Sequence, residues 1–187
     1  MKKVLFGLVF LMCMTFDANA QVTVAEPEFA EETMLLTSDS EGVLLKRENG
    51  SIKAKAGASM FLTGIGKIKS RLTLPGIKSV NTVAVPSNAR LILKGRDKAT
   101  DPNSYISIFK FDVTKKERRY QLAEVGTFTG SEESNTASVD FKAKKYGESS
   151  YLIQLEDLQP GEYGILIGDP NSNSKKNSMK IIAFTVK

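Results

Sequence analysis

A chain of 187 residues with no histidine, no tryptophan and a single cysteine, Cys13, is closed to most side-chain chemistry by its composition alone. Without imidazole there is no Ser-His-Asp or Cys-His nucleophile, none of the usual zinc sites and no histidine pH switch. The 26 Lys and Arg against 21 Asp and Glu give a formal charge of +5, too small an excess to announce a nucleic-acid partner, although polyanionic glycans stay open.

The chain begins with Lys2 and Lys3, an apolar run over 4–14, and Ala18-Asn19-Ala20 ahead of Gln21. A basic start, a short apolar stretch and a small-x-small end predict a secretory signal peptide over 1–20, cleaved after Ala20. A membrane span needs about twenty apolar residues, whereas this run stops before Asp17. Cys13 follows Phe10-Leu11-Met12, which are bulky where a lipid-anchored precursor requires small residues, so no lipoprotein is expected. The mature chain, 21–187, then has no cysteine and can form neither a disulfide nor a thiolate site. Its expected place is the periplasm, the outer surface or the medium, with no transmembrane segment after cleavage.

Beyond the leader, short runs of β-branched, aromatic and aliphatic residues are cut by Gly, Pro, Asn and Asp at strand-like intervals, and no segment holds a 3.6-residue period for three turns. Strands are predicted over 28–37, 42–48, 51–56, 60–65 and 67–74, with Asn49-Gly50 as a two-residue hairpin turn because both residues accept positive φ. Lys67, Lys69 and Arg71 alternate with Ile68, Ser70 and Leu72, which places a basic row on one face. Pro75-Gly76 and Pro86 mark the softest region, so residues 75–80 are the boundary if the chain has two lobes, 21–75 and 80–187. A single mature unit is the preferred reading, since no low-complexity linker separates them.

Further strands are predicted over 82–85, 90–95, 105–114, 118–125, 138–145, 150–156, 162–168 and 180–186. Ile106 and Ile108 point one way while Phe109, Phe111 and Val113 point the other, so both faces carry apolar weight, the mark of a central strand. Tyr151, Ile153 and Leu155 alternate with Leu152, Gln154 and Glu156, the mark of a half-buried one. The fold class expected is all-β, an antiparallel β-sandwich whose C-terminal part is Ig-like and carries an additional N-terminal group of strands.

In Leu158-Gln159-Pro160-Gly161-Glu162-Tyr163 the proline fixes φ, the glycine permits the change of direction, and a strand restarts with Tyr163 facing the core. The stretch resembles the corner that opens the next-to-last strand of many Ig-like, fibronectin-like and prealbumin-like modules. That resemblance implies a tyrosine packed inward with its hydroxyl on a nearby backbone group, and it speaks to fold alone. Lys55-Ala56-Gly57-Ala58-Ser59 and Lys144-Lys145-Tyr146-Gly147-Glu148-Ser149-Ser150-Tyr151 are similar to exported proteins of Gram-negative gut bacteria, a group with no activity attached to it. This similarity implies export and no more.

Few chemistries remain. Ser107-Ile108-Phe109-Lys110 and Ser172-Asn173-Ser174-Lys175 both spell S-x-x-K, but an offset of three places Ser107 and Lys110 on opposite faces of a strand, and the second copy falls in a loop. Gly147-Glu148-Ser149-Ser150-Tyr151 lacks the second glycine of a nucleophile elbow. A carboxylate-pair glycan hydrolase stays open, although Glu132-Glu133 and Glu156-Asp157 read as solvated charge. Asp-Pro-Asn-Ser occurs at 101–104 and again at 169–172. Turn chemistry explains both copies, and the sharper alternative brings Asp101, Asn103, Asp169 and Asn171 to one pole as oxygen ligands for calcium, a glycan or a partner. Lys53, Lys55, Lys67, Lys69 and Arg71 form a second candidate surface if their strands pair, with protection of a sheet edge as the plainer account. No catalytic, metal or cofactor-binding residue is assigned, no cofactor is expected, and the partner classes left open are a glycan or a protein surface. The functional expectation is an exported, non-enzymatic binding or structural protein, with the glycan hydrolase and a self-assembling or strand-accepting surface component as alternatives.

Overall fold

The computed structural model describes residues 21–56, 67–97, 99–126, 132–134, 138–168 and 178–187. Its strands in chain order are β1 Thr33–Leu36, β2 Gly42–Leu44, β3 Arg47–Ala56, β4 Lys67–Pro75, β5 Ala84–Val85, β6 Ala89–Lys94, β7 Ile106–Lys110, β8 Asp112–Val113, β9 Glu117–Gly126, β10 Glu132–Ser134, β11 Lys142–Tyr146, β12 Ser150–Leu155, β13 Gly161–Ile167 and β14 Ser178–Val186. Among the described residues a 3-10 turn, Pro102–Ser104, is the helical element, and no helix is long and apolar enough to cross a membrane. The protein is all-β and sandwich-like, with antiparallel pairing throughout except for the short parallel contact of β5 with β14. The leader over 1–20, the predicted strand over 60–65 and the second Asp-Pro-Asn-Ser lie outside the described residues.

One sheet runs β11-β12-β6-β1-β2 and the other β10-β9-β4-β3-β14-β13-β7. In the second sheet β7 pairs with β13, while β8, one residue further along the chain, pairs back onto β9. The sheet therefore curls on itself into a nearly closed barrel. Inside lie Leu72, Leu74, Phe109, Phe111, Leu166, Met179, Ile181 and Ala183. Outside, Ile106, Ile108, Tyr163, Ile165, Ile182, Phe184 and Val186 face Leu35, Leu91, Leu93, Tyr151, Ile153 and Leu155 of the first sheet. β7 is apolar on both faces because it is the wall between these two cores. It is not the central strand that its two apolar faces predict, because it lies at the end of its sheet's pairing order, and its second face is covered by the curl of the sheet that carries β8 onto β9. Each Leu or Ile fully buried in either core contributes roughly 1.5–3 kcal/mol.

The Asn49-Gly50 pair does not form the expected hairpin. β3 runs straight through it, with Asn49 opposite Lys180 and Gly50 opposite Met179. Gly50 is buried, and a Cβ there would come within 2.5 Å of Leu72 Cδ1. Glycine is needed at this place for close packing inside the barrel rather than for a turn.

Two further sets of contacts fasten the structure. The N-terminal stretch 22–27 crosses the outer face of the first sheet, where Val22 and Val24 pack on Leu36, Ile92 and Leu152. Tyr146 donates its hydroxyl to the Val24 carbonyl, and Thr23 N–H donates to Asp39 O at 2.7 Å. At the opening of β13, Tyr163 is buried, stacks on Phe184 at 5.6 Å, and donates its hydroxyl to Gln159 O at 2.8 Å.

One end of the barrel is closed by charge. Arg118, fully buried, donates to Glu48 Oε1 at 3.1 Å and Oε2 at 2.5 Å, to Gly76 O at 3.2 Å and to Pro75 O at 3.0 Å. Glu162 stands 3.9 Å from the same guanidinium and accepts from Ser79 N–H and the Thr185 hydroxyl at 2.8 and 2.7 Å. The Ser79 hydroxyl and Val80 N–H also donate to Glu48, so the 75–81 loop is tied down across the barrel mouth.

Candidate functional site

β13 and β14 pair from Gly161↔Val186 to Ile165↔Ile182 and no further. Beyond that point β14 pairs with β3 and β13 with β7, so the two strands run apart. A cleft of about 420 Å³ opens between them, with Leu166 and Ile167 on one side and Ser178, Met179 and Lys180 on the other. This volume lies within the range of small-molecule sites.

Cations from three separate parts of the chain reach this cleft: Arg47 from the start of β3, Arg96 from the loop after β6, and Lys180 from β14. The two arginines share one carboxylate. Glu31 accepts from Arg96 Nε, and its other oxygen is 3.6 Å from Arg47 Nη1. Arg47 Nη2 also donates to Ala30 O at 3.2 Å. Glu31 has φ +66, a left-handed conformation that costs a non-glycine residue about 1 kcal/mol or more. The conformation is held by its N–H to Lys94 O at 2.8 Å and by the two guanidiniums. Lys180 has no ion-pair partner among the described residues, so three cations face one anion. Gly168, at φ +106, leaves room for Arg96, whose Nη2 would lie 3.1 Å from a Cβ added there.

The first Asp-Pro-Asn-Ser borders the same pole and behaves as turn chemistry. Asp101 caps the 3-10 turn, its Oδ1 accepting from Asn103 N–H and Nδ2 at 3.0 Å each, and Pro102 is buried. Gly168, immediately before the second copy, donates to Tyr105 O at 2.7 Å, so the chain enters the second copy beside the end of the first. Asp169 and Asn171 lie outside the described residues, and among the described residues no group of three carboxylates or other ligands is placed to hold a metal. Burial, then the neighbouring Tyr151, pushes the Tyr105 hydroxyl up to about 12, so it stays protonated beside this pole.

The remaining candidates fall elsewhere. Ser107 and Lys110 lie on opposite faces of β7, and Lys110 sits over the Tyr163 ring at 5.6 Å. Ser172 and Lys175 are outside the described residues. Glu156 is exposed and paired with Lys142 at 2.9 Å, and Asp157 is exposed. The buried carboxylates Glu48 and Glu162 do flank one another across Arg118, but in an enclosed mouth where both already accept hydrogen bonds. Arg47, Arg96 and Glu31 carry no local motif, and only the pairing of distant strands brings them together. Comparison with protein-family models, with curated proteins and with solved structures gives no match to this chain.

Proposed function

We propose that this is an exported, non-enzymatic binding protein of the cell envelope or exterior, and that it receives an anionic ligand in the cleft between β13 and β14. The observation that carries this reading is the convergence of Arg47, Arg96 and Lys180 around a single carboxylate, Glu31, held in a strained backbone conformation. Strain of this kind persists where surrounding contacts over-determine it, and such places cluster at ligand clamps. Guanidinium groups present several N–H donors in a fixed fork, and Glu31 takes only part of that capacity, leaving donors for a carboxylate, sulfate or phosphate. The carboxylates at the barrel mouth support binding over hydrolysis, because both are buried and engaged by Arg118 and the 75–81 loop. Export rests on the leader sequence over 1–20.

The test is calorimetric titration of the purified protein with glucuronate, succinate and inorganic phosphate, in parallel with Arg96→Ser and Lys180→Ser. At least one anion should saturate the wild type, and both variants should weaken it about ten-fold, the loss of one charge-assisted hydrogen bond. If none of the three binds, or the variants bind as the wild type does, the cleft is not the ligand site.

A further inference from the structure

We infer that the ligand of the cleft is a peptide ending in a free carboxylate, added as a short extra strand in the fork between β13 and β14. This rests on the cleft being the anion site and names what the anion belongs to. The direction of the backbone groups along the two strands carries it. On β13, Glu162 O accepts from Phe111 N–H and Gly168 N–H donates to Tyr105 O, both toward β7. Even-numbered residues therefore turn to β7, while Ile165 and Ile167 turn to β14. On β14, Ala183 O accepts from Asn81 Nδ2 at 2.7 Å on the β3 side, so Ile182, Lys180 and Ser178 turn to β13.

Ile165 and Ile182 are the last pair to meet. A continued register would set Ile167 opposite Lys180, but there the strands have parted. The N–H and C=O groups of Ile167, Lys180 and Ser178 are left facing the cleft, with no backbone partner among the described residues. Two N–H groups thus point inward from opposite sides at the apex of the fork, and Arg47, Arg96 and the Lys180 ammonium line the same cleft. A carboxylate placed at the apex accepts from both strands and from the cations around it.

The open edge selects what the carboxylate is attached to. Outward from the apex, the N–H and C=O groups of Lys180 and Ser178 match the backbone of an extended peptide that runs parallel to β14 with its C-terminus innermost. A phosphate, a dicarboxylate or a sugar acid would use the cations and leave those edge groups unmatched. Leu166 and Met179 line the cleft on the barrel side, and Ile167 and Ile182 on the side of the first sheet, so apolar residues suit both faces of the added strand. The basic residues of β3 and β4 offer less to a ligand. Lys53 does stand opposite Arg71 and Lys55 opposite Lys69, but Lys53 is 3.6 Å from Glu117, and Lys69 stands opposite Glu124 across β4 and β9.

NMR titration of the isotope-labelled protein with N-acetyl-Ala-Ala-Leu, with its C-terminal amide and with succinate tests the assignment. The free-acid tripeptide should bind about ten-fold more tightly than its own amide and than succinate. It should also shift the Ile167 and Lys180 amides and slow their hydrogen exchange, which is fast in the free protein beside the protected Ile165 and Ile182. Lys180→Pro removes the N–H that faces the cleft and leaves the bonds of Met179 and Ile181 to β3. It should bind the tripeptide about ten-fold more weakly than Lys180→Ser, which removes the charge alone. The wild-type comparisons stand whether or not the proline variant folds. Succinate bound as tightly as the tripeptide, equal binding of acid and amide, or Ile167 and Lys180 amides already protected in the free protein would each overturn the inference and leave the anion site standing. If neither succinate nor the tripeptide binds, the peptide site and the anion site fall together.

Discussion

Glu26 is the fastening of the N-terminal stretch, and replacing it by glutamine measures what that fastening contributes. Its carboxylate accepts from Glu148 N–H at 2.5 Å through one oxygen, and from Ser149 N–H at 3.1 Å, the Ser150 hydroxyl at 2.5 Å and Lys94 Nζ at 3.3 Å through the other. Burial alone raises the carboxyl group's affinity for a proton. The Ser150 hydroxyl, the two backbone amides and the Lys94 ammonium together outweigh that effect and hold it at about 2, against an ordinary 4.5. A difference of that size corresponds to about 3 kcal/mol of stability at neutral pH. Water reaches a side chain that is 18 % exposed, so about 2 kcal/mol is the working figure. Glutamine turns an NH₂ toward one group of donors and leaves them unpaired, so most of this should be lost.

The folded carboxyl titrates below the unfolded one. The contribution is therefore complete above pH 4.5, declines as the unfolded chain takes up its proton first, and is gone below about 2. Urea denaturation of wild type and Glu26→Gln at pH 7, 4 and 2.5 should show a gap of about 2 kcal/mol that narrows with acid. In thermal scans at pH 7 the same gap should appear as a fall of about 5 °C. A variant as stable as the wild type at pH 7, or a gap that stays constant down to pH 2.5, would show that the clasp is not held by charge.

Two further substitutions test the interior. Arg118→Met should cost about 3–5 kcal/mol in urea denaturation, because it strands Glu48 and Glu162 in an enclosed mouth, and adding Glu48→Gln should restore part of the loss; a single variant of wild-type stability would refute the charged closure. Thr33 is fully buried and its hydroxyl has no partner among the described residues, so Thr33→Val should leave stability unchanged or raise it by about 1 kcal/mol. A loss of that size in the same assay would mean the hydroxyl is satisfied in solution.

What could be read from sequence was whatever one strand shows by itself. The alternation of Tyr151, Ile153 and Leu155 with Leu152, Gln154 and Glu156 told which face of β12 is core, and the corner at Tyr163 is closed by the hydroxyl bond its residues suggested. Asn49-Gly50 misled because a dipeptide suited to a turn is equally suited to a strand that must approach Leu72 closely, and only the partner strand distinguishes the two. The closure of the barrel was hidden in the step from β7 to β8, where one residue, Phe111, changes which neighbour the chain pairs with. The cleft was hidden for the same reason. Residue types at Glu31, Arg47 and Arg96 are ordinary in their local context, and the end of the β13–β14 register is a property of two strands at once.

The fold uses one chemical pairing, arginine with glutamate, in two opposite ways, and exposure decides which. Arg118 and Glu48 have side chains 0 % and 7 % exposed, and the guanidinium is engaged by two carboxylates and two carbonyls. An arrangement so enclosed and so fully satisfied cannot accept a ligand without breaking, and its role is to fix the loop over the barrel mouth. Arg96 and Glu31 are 56 % and 26 % exposed, stand at the rim of a cleft, and are joined by a lysine with no anion of its own among the described residues. Exchange of their hydrogen bonds with water or with an incoming anion costs little at that exposure, because no charge has to be carried out of solvent to make the exchange. The same two residue types therefore give a lock at one place and, at the other, an exposed pair whose partners can be exchanged.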